Sequence, residues 1–362
     1  MNQTINLVKY FEIEGTPVSV GPLGAGHIND SFLVKTEEAG KPDYLLQRIN
    51  HHIFKDVEML QNNILHVTNH IRKKLIEKGE TDIDRQVLAI IPAKDGKLYH
   101  FDGENYWRVY LFIPGGKSYD AINPELAYEA GKAFGEFQGY LADIPERLGE
   151  TIPDFHNMEF RVQQFRDAVA QDAAGRVAAS RDLISEIESR AEDMCKIEVW
   201  GREGKLPKRI NHCDTKVNNV LFDDNGRILC VVDLDTVMPG YVLSDFGDFI
   251  RTGANNGAED DADLNKIGVN LDIFAGYARG YAETAKNFLS PIEIDNLAFG
   301  AKLLTFMQTV RFFTDYLNGD TYYKIHFPEH NLQRTYAQLQ LLKDLEANYD
   351  EMREIVAREF KN

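Results

Sequence analysis

Alternating apolar and polar positions characterise the first third of the chain. From Val18 to Ile49 the pattern is that of two half-buried strands around a glycine-rich bend, followed by a polar turn and a third strand. Three further strand-like runs follow as VLAIIPA, KLYHFDG and YWRVYLFI, with Asp-Gly dipeptides typical of turns between them. The pattern predicts a small antiparallel sheet.

Helical spacing interrupts these strands once and later replaces them. Residues 54–78 place apolar side chains three or four positions apart, which predicts a long helix. The strand pattern stops at residues 113–116, IPGG, and helical periodicity then dominates. We therefore predict an α+β protein with a smaller domain at residues 1–113 and a larger, mostly helical domain at residues 114–362.

One β-hairpin is expected inside the helical part. The segment VLFDD-NG-RILCVVD contains two apolar runs around Asp224, Asn225 and Gly226. Asparagine and glycine tolerate the positive φ angles of tight turns, so this segment is predicted to fold back on itself.

The charge balance excludes two classes of partner. The 362-residue chain has 40 Lys and Arg against 57 Asp and Glu, a formal net charge of −17. Such a surface does not attract nucleic acid or an anionic membrane, although a small anionic ligand needs only a local positive pocket. The three cysteines lack metal-ligand spacing, and no apolar run reaches the ~20 residues of a membrane span. Because the start also lacks the apolar region of a signal peptide, we expect a cytoplasmic protein.

Carboxylates and amides are concentrated around the predicted hairpin, in NHCDTKVNNVLFDDNGRILCVVDLDT. Asp214 precedes the first strand and Asn219 enters it, while Asp233 and Asp235 are placed at the end of the second. Side chains two apart on a strand share a face, so the last two aspartates are expected to share a target. Two carboxylates and an amide oxygen suit Mg²⁺ held jointly with phosphates. Asp214 could then accept a proton from a hydroxyl.

The order His212, Asp214, Asn219, Asp233 resembles the catalytic signature of the aminoglycoside phosphotransferase and choline kinase-like superfamily, a relative of the protein kinase pattern. The wider segments HCDTKVNNVLFD, VVDLDTVMPG, DFGDFIRTGAN and VRFFTDYLNGD are most similar to its N-acetylhexosamine 1-kinase branch. The resemblance implies a bilobal, protein kinase-like fold. Its small antiparallel-sheet lobe would bind ATP, and its helical lobe would carry the catalytic hairpin and the acceptor site.

The same resemblance implies roles for individual residues. Asp214 would be the catalytic base in contact with the substrate, and Asn219 and Asp233 would bind magnesium. Asp235 would share the metal, because several relatives carry an acidic residue there. His212 would support the catalytic loop. Three residues of SDFGDFIRTG are expected to scaffold this loop: Asp245, Asp248 and Arg251.

Nucleotide contacts are expected in the smaller domain. Glycines in GPLGAGHINDSFLV let backbone N–H groups approach phosphates, although a flexible hairpin turn would have the same composition. Kinases carry a phosphate-binding lysine on the third strand, a position that falls here on Gln47 or Arg48. We choose Arg48, because a guanidinium supplies the missing charge. The segment YLFIPGG resembles the hinge between kinase lobes. The predicted contacts are Gly24, Gly26, His27, Asn29 and Arg48 for phosphate, and Leu111, Phe112 and Ile113 for adenine.

The acceptor is expected to bind near VRFFTDYLNGDTYYKIHF. Arginine and tyrosine donors beside aromatic faces suit a neutral sugar, and the resemblance matches Arg311 and Tyr322 to sugar contacts. The alternative for Arg311 is a salt bridge to Asp315 one helical turn later. The leading hypothesis is a Mg·ATP-dependent kinase for the anomeric hydroxyl of N-acetylhexosamines. Alternatives are a kinase for an aminoglycoside or amino alcohol, or a non-catalytic nucleotide-binding regulator.

Overall fold

The computed structural model describes residues 2–24 and 28–361, so the predicted phosphate contacts Gly26 and His27 lie outside the described residues. The strands are β1 Pro17–Pro22, β2 Asp30–Thr36, β3 Tyr44–Ile49, β4 Ile90–Ile91, β5 His100–Phe101, β6 Tyr106–Leu111, β7 Arg209–Asn211, β8 Val220–Phe222, β9 Ile228–Val231 and β10 Met238–Gly240. The helices are α1 Asn2–Leu7, α2 Val57–Lys78, α3 Pro124–Leu141, α4 Met158–Gln171, α5 Arg181–Met194, α6 Lys196–Arg202, α7 Val242–Gly253, α8 Leu271–Ala285, α9 Pro291–Asp295, α10 Leu297–Leu317, α11 His330–Ala347 and α12 Tyr349–Lys361.

The chain forms two compact units that alternate along the sequence. The first contains residues 1–118, 140–153 and 220–238, and the second contains residues 119–139, 154–219 and 239–362. The sequence placed a boundary after residue 113 and left the hairpin with the helical part. In the structure β8 and β9 group with the first unit instead.

The first unit contains the predicted antiparallel sheet. Its strands follow the order β1-β2-β3-β6-β4, and β5 pairs separately with β6. Alternation along the strands places one set of side chains in a core with α1, including Tyr44, Leu46 and Trp107. The opposite face carries Gln47 on β3 and, directly across in register, Arg108 on β6.

Helix α2 begins and ends where its sequence favours it. The side chain of Asp56 accepts a hydrogen bond from the backbone N–H of Met59 and so caps the first turn. Gly79 follows the last turn with φ +76°, a conformation that glycine adopts without strain. The helix predicted over residues 54–78 is confirmed, although it begins at Val57 rather than at residue 54.

Two sets of hydrogen bonds explain why separate segments join the first unit. Asn63 of α2 is buried, and its side-chain amide donates to the carbonyl oxygens of Gly149 and Val237 at 2.8 and 3.2 Å. Lys117 exchanges two backbone hydrogen bonds with Phe222 of β8, at 2.9 and 2.8 Å. The segment after β6 thus pairs with the hairpin.

The hairpin itself forms as predicted, with Gly226 at φ +74° in its turn. However, β9 ends at Val231. Asp233 adopts φ +60°, and Asp235 lies in a short 3₁₀ turn. The two aspartates are not strand residues, and strand alternation therefore does not decide their directions.

Helices pack closely in the second unit. Helix α10 is buried along almost its whole length, because it packs against α4, α7 and α11. At one crossing, a Cβ atom added to Gly247 of α7 would lie 2.0 Å from the carbonyl oxygen of Gly300. Among the residues that the structure describes, no helix combines the length and the apolar character needed to cross a membrane.

Candidate active site

The loop between β7 and β8 is held by two aspartates of α7. The carboxylate of Asp245 accepts backbone hydrogen bonds from His212 and Cys213, both at 2.8 Å. Asp248 accepts a further one from Thr215 at 3.0 Å. Burial raises the pKa of Asp245 to about 6, although these hydrogen bonds oppose the rise. The predicted scaffolding role of the two aspartates agrees with these contacts.

Arg251 completes this support. Its guanidinium contacts Oδ1 of Asp248 through Nε and Nη2, at 3.1 and 3.0 Å. The positive charge of the guanidinium thereby offsets the negative charge of the buried Asp248 carboxylate. The string DFG in this segment lies within α7, and its aspartate, Asp245, holds the loop through the backbone hydrogen bonds described above.

His212 is fully buried, and its ring lies 5.6 Å from the ring of Phe134 and 5.8 Å from that of Phe137. The aromatic contacts fix the imidazole inside the second unit. This placement matches the expected supporting role and removes His212 from contact with solvent.

Asp214 is held by two neighbours on the same loop. Its Oδ2 atom lies 2.9 Å from Nζ of Lys216 and 3.1 Å from Nδ2 of Asn219. Burial acts to raise the pKa of Asp214, but Lys216, His212 and Asn219 lower it below its ordinary value. Asp214 is therefore a carboxylate at neutral pH, ready to accept a hydrogen bond from a hydroxyl. The structure thus brings Asp214 and Asn219 together.

A cavity of about 310 Å³ opens in the second unit, between α4, α10 and the loop after α10. The two residues predicted to contact the acceptor, Arg311 and Tyr322, both line it. Arg161 of α4 and Tyr323 line it as well. The structure therefore collects the predicted acceptor residues at one cavity and adds a second arginine.

Arg311 does not form the alternative salt bridge with Asp315. Its guanidinium lies 5.2 Å from the ring centroid of Phe155 and 5.6 Å from that of Tyr323, and Nη1 donates to Gln308 at 3.2 Å. Asp315 instead accepts hydrogen bonds from the backbone N–H groups of residues 321–323. The carboxylate shapes the loop that carries the tyrosines.

Arg161 also has no carboxylate partner among the described residues. It donates to the carbonyl oxygen of Phe155 at 2.9 Å and to the side chain of Gln164 at 2.9 Å. Burial and the charge of Arg311 lower the pKa of Arg161 to about 10. The cavity therefore contains two guanidinium groups that repel each other.

Charges of the cavity and of the loop between β7 and β8 both act on the pKa of His156. Burial, together with the charges of Arg311 and Arg161, lowers the pKa of His156 to about 3, while Asp214 acts in the opposite direction. The imidazole of His156 is therefore neutral at neutral pH. Its Nδ1 atom is buried and has no hydrogen-bond partner within the described part of the chain.

In the first unit, Asp235 is the centre of a buried network. Its two oxygens accept from Nη1 and Nη2 of Arg108 at 2.5 and 2.9 Å, and Oδ2 also accepts from Nδ2 of Asn29 at 2.5 Å. The structure thus joins two predicted site residues, Asn29 and Asp235, through contacts that the sequence did not indicate. A role for Asp235 as a magnesium ligand stays a prediction, and it competes with these donors.

The third strand decides the orientation of the two candidate phosphate-binding residues. Gln47 faces Arg108, and its Oε1 atom accepts from Nε of Arg108 at 2.9 Å. Arg48 is exposed on the other face and donates through Nε to Asp30 at 2.7 Å. Because neighbouring strand residues point in opposite directions, Gln47 rather than Arg48 lies on the side of Asp235. A contact of Arg48 with nucleotide stays a prediction that this geometry does not favour.

The remaining residues that were predicted to contact the nucleotide lie in the bend after β1 and at the end of β6. Gly24 has φ +70° in the bend between β1 and β2. Leu111 ends β6, Phe112 donates its backbone N–H to Asp43, and Ile113 is buried. Their contacts with phosphate and adenine stay predictions.

Four residues of the candidate site were missed from the sequence: Arg108, His156, Arg161 and Lys216. Lys216 had a usable signal, because it lies two positions after Asp214. Arg108 and Arg161 lie on a predicted strand and a predicted helix, and only tertiary contacts distinguish them from other arginines. His156 stands between predicted helices, where a lone histidine carries no pattern.

Three solved structures have the same overall fold. An aminoglycoside phosphotransferase from Alicyclobacillus acidocaldarius has a TM-score of 0.60 and 11% identity, and the match covers 98% of this chain and 96% of that one. The amicoumacin kinase hAmiN, in complex with AMP-PNP, Ca²⁺ and Ami, has a TM-score of 0.56 and 14% identity, with 99% and 93% covered. A choline/ethanolamine kinase family protein from Mesorhizobium loti has a TM-score of 0.52 and 14% identity, with 100% of both chains covered.

These likenesses establish the mixed α and β, protein kinase-like fold predicted from the sequence. The family assignment rests on a separate comparison. The model of the phosphotransferase enzyme family, APH, matches residues 19–285, a range that includes most of the sheet, the loop between β7 and β8, and the hairpin. The chain therefore belongs to the APH phosphotransferase enzyme family.

Proposed function

We propose that the protein is a Mg·ATP-dependent kinase that phosphorylates the anomeric hydroxyl of a neutral amino sugar derivative, an N-acetylhexosamine. The observation that carries this proposal is the cavity of the second unit, in which neither Arg161 nor Arg311 donates a hydrogen bond to a carboxylate of the described residues. The same cavity offers the hydroxyl groups of Tyr322 and Tyr323.

Charge favours a neutral acceptor over a cationic one. A polyamine in this cavity would meet two guanidinium groups. The charged form of Arg161 is already destabilised by burial and by the charge of Arg311. Two carboxylates also line the cavity, Asp167 and Asp315. Asp315 is engaged by backbone N–H groups, and the exposed Asp167 accepts from Gln163. The groups left to recognise an acceptor are therefore mainly donors, which suit hydroxyl and acetamido oxygens.

Size supports the same acceptor class. Ligand cavities commonly measure about 300–1,000 Å³, and the volume here, about 310 Å³, lies at the small end of that range. A monosaccharide derivative fits such a volume better than an aminoglycoside of several rings. The choice of an N-acetylhexosamine and of its anomeric hydroxyl rests on the resemblance of VRFFTDYLNGD and the catalytic segments to that branch.

The chain's own residues supply the following steps. Arg311 and the tyrosines bind the sugar, and Asp214 accepts a hydrogen bond from the attacking hydroxyl. The hydroxyl oxygen forms a bond to the γ-phosphorus as the bond to the β,γ-bridging oxygen breaks, and ADP leaves. The hydroxyl proton passes to Asp214. Because the transition state of phosphoryl transfer is loose, the main task of Asp214 is to orient the hydroxyl.

Asn219 and Asp233 would hold magnesium, which when bound neutralises charge on the β- and γ-phosphates. The donor set fits this ion. Asn219 donates through its amide nitrogen to Asp214, which leaves its carbonyl oxygen for a cation. Carboxylate and amide oxygens combined with phosphate oxygens are the usual magnesium ligands in kinases.

ADP release in the presence of ATP, Mg²⁺ and single acceptors tests the proposal. We expect turnover with N-acetylglucosamine or N-acetylgalactosamine, an acid-labile sugar 1-phosphate detectable by ³¹P NMR, and no turnover with kanamycin, choline or ethanolamine. Turnover only with the amines would refute the acceptor assignment. ATP binding without turnover of any hydroxylated compound would favour the regulator.

The arginines offer a sharper version of this test. Arg161→Gln should raise KM for the sugar about tenfold, the loss expected for one charged hydrogen-bond donor, while KM for ATP stays constant. The matched control is Arg166→Gln, which removes an arginine of the same helix whose guanidinium pairs with Glu188. If both variants change KM for the sugar equally, the cavity is not the acceptor site.

A further inference from the structure

The face of the third strand that carries Gln47 lacks the cation that a kinase places against the nucleotide phosphates. The side chain at the corresponding face is Gln47, which is neutral and bridges Arg108 and Ser31 at 2.9 and 2.8 Å. Arg48 points to the exposed face and pairs with Asp30. A nucleotide site built on this strand alone would present no positive charge to a polyanion.

The neighbouring strand, β6, carries a positive charge on the same face of the sheet. Arg108 of β6 lies directly opposite Gln47 in the register of the sheet, and its side chain is 1% exposed. Its three hydrogen bonds go to Gln47 and to both oxygens of Asp235. A guanidinium has five N–H donors, so two of them have no acceptor in the described part of the chain.

Charge around Arg108 supports a role beyond packing. Asp235 and Asp233 both act on its guanidinium. Without Arg108, the segment after β9 would present two carboxylates to an incoming triphosphate. With Arg108, the charge of Asp235 is neutralised by two hydrogen bonds from the guanidinium. The arrangement matches the kinase pair of lysine and glutamate in its charges, with the cation moved by one strand.

We propose that Arg108 is the positive charge of the nucleotide phosphate site, taking the place of the third-strand lysine, and that Asp235 positions it. The inference rests on the proposed ATP-dependent function. Asn29 extends the positioning, because it links Asp235 to the backbone N–H of Asn50 at 2.9 Å. Asn29 immediately precedes β2, so Asn29, Arg108 of β6 and the segment after β9 meet at the carboxylate of Asp235.

Nucleotide affinity without metal tests this proposal independently of turnover. Calorimetric titration of the apo protein with ATP, ADP and adenosine, in the presence of a chelator, measures the contribution of each phosphate. Arg108→Gln should weaken ATP and ADP binding by about tenfold to a hundredfold, as expected when a charged partner is lost, and leave adenosine binding unchanged. Arg108→Lys should recover part of the loss.

Two further variants separate this role from stability. Arg108→Gln alone leaves Asp235 buried and unpaired, whereas the double variant Arg108→Gln/Asp235→Asn is neutral and keeps hydrogen-bonding groups at both positions. The double variant should regain stability in urea unfolding but not its affinity for ATP and ADP. Arg209→Gln is the matched control, because Arg209 forms a similar bidentate pair with the buried Glu293 in the second unit. It should lose stability and keep nucleotide affinity.

Several outcomes would overturn the inference. If the double variant binds ATP as tightly as the wild type, the pair of Arg108 and Asp235 is structural only. If Arg48→Gln loses phosphate-dependent affinity and Arg108→Gln does not, the cation is Arg48. Wild-type protein that fails to bind ATP at all would refute the proposed function itself, which is a distinguishable result.

Discussion

The Oδ2 atom of Asp245 lies 2.8 Å from the backbone nitrogen of His212. Through this contact a buried carboxylate of α7 holds the loop between β7 and β8 in place. Its other oxygen holds the backbone nitrogen of Cys213, which adopts φ +63°. A non-glycine residue in this region costs about 1–3 kcal/mol, so the carboxylate stabilises a strained turn just before Asp214.

Asp245→Asn should therefore damage the loop although the side chain keeps its size. An amide has one acceptor oxygen, so its NH₂ group would face one of the two backbone N–H donors. We expect a loss of about 1–3 kcal/mol in the free energy of unfolding, measured in urea, and a lower kcat. A variant with wild-type stability and kcat would show that the loop holds its shape without this carboxylate.

The variants Asp214→Asn and Asp233→Asn should lose activity for different reasons. Asp214→Asn removes the proton acceptor and leaves the proposed metal ligands, so turnover should fall by roughly two to four orders of magnitude while Mg·ATP still binds. Asp233→Asn should weaken Mg·ATP binding along with the rate.

Titration of Mg²⁺ at fixed ATP separates these two variants. High Mg²⁺ should restore part of the activity of Asp233→Asn and none of that of Asp214→Asn. The reverse result would mean that the two roles have been exchanged.

His156 should contribute a pH dependence to stability. Its pKa is lowered from 6.5 to about 3 in the folded protein, so only the unfolded chain gains a proton on this residue between those values. Stability is therefore fully present above pH 6.5 and is lost as the pH falls towards 3. Between pH 7 and 5 the wild type should lose about 2 kcal/mol more than His156→Phe.

Urea unfolding of both proteins at the two pH values measures this difference. Equal losses for the wild type and His156→Phe would show that the imidazole titrates normally in the fold. If Nδ1 of His156 also contacts the acceptor, KM for the sugar should rise in the variant while KM for ATP stays constant.

Gly247→Ala tests the contact between α7 and α10. Alanine favours a helix over glycine by about 1 kcal/mol. Here, however, the added Cβ would lie 2.0 Å from the backbone oxygen of Gly300, which cannot move without shifting a helix. Steric strain should outweigh propensity, and the variant should lose at least about 1–3 kcal/mol of stability.

Gly139→Ala is the matched control for this prediction. Gly139 is also helical, but an added Cβ would meet ring atoms of Phe288 at 3.5 Å and the backbone oxygen of Thr284 at 3.9 Å, which are ordinary contact distances. We expect Gly139→Ala to be neutral or stabilising in thermal unfolding. Similar losses in both variants would show that helix crowding at Gly247 has no special cost.

The local sequence pattern was sufficient to predict several strands and helices and some of the candidate site residues. Period-two runs specified β1, β2, β3 and β6, and the period of residues 54–78 specified α2, because the side chains that face a core recur with the geometry of the backbone. The order His212, Asp214, Asn219 was enough to predict the candidate catalytic loop, because these residues lie within one short segment.

Tertiary structure decided what depends on partners distant in sequence. Strand periodicity could not place Asp233 and Asp235, because β9 ends before them and the turn that follows has no period. The sequence could not choose between Gln47 and Arg48, because a one-residue shift of register exchanges the two faces of a strand.

Arg108 shows the same limit most clearly. By sequence it is one arginine in a buried strand, a position that an isolated charge would avoid. Its meaning comes from Asp235, 127 residues later, whose carboxylate compensates the charge at 2.5 Å. The amino-acid sequence by itself determined the family's catalytic segment and the alternation that builds the sheet. Only the tertiary structure decided which cation pairs with Asp235, because the free energy of a buried charge depends on the neighbours that the fold supplies.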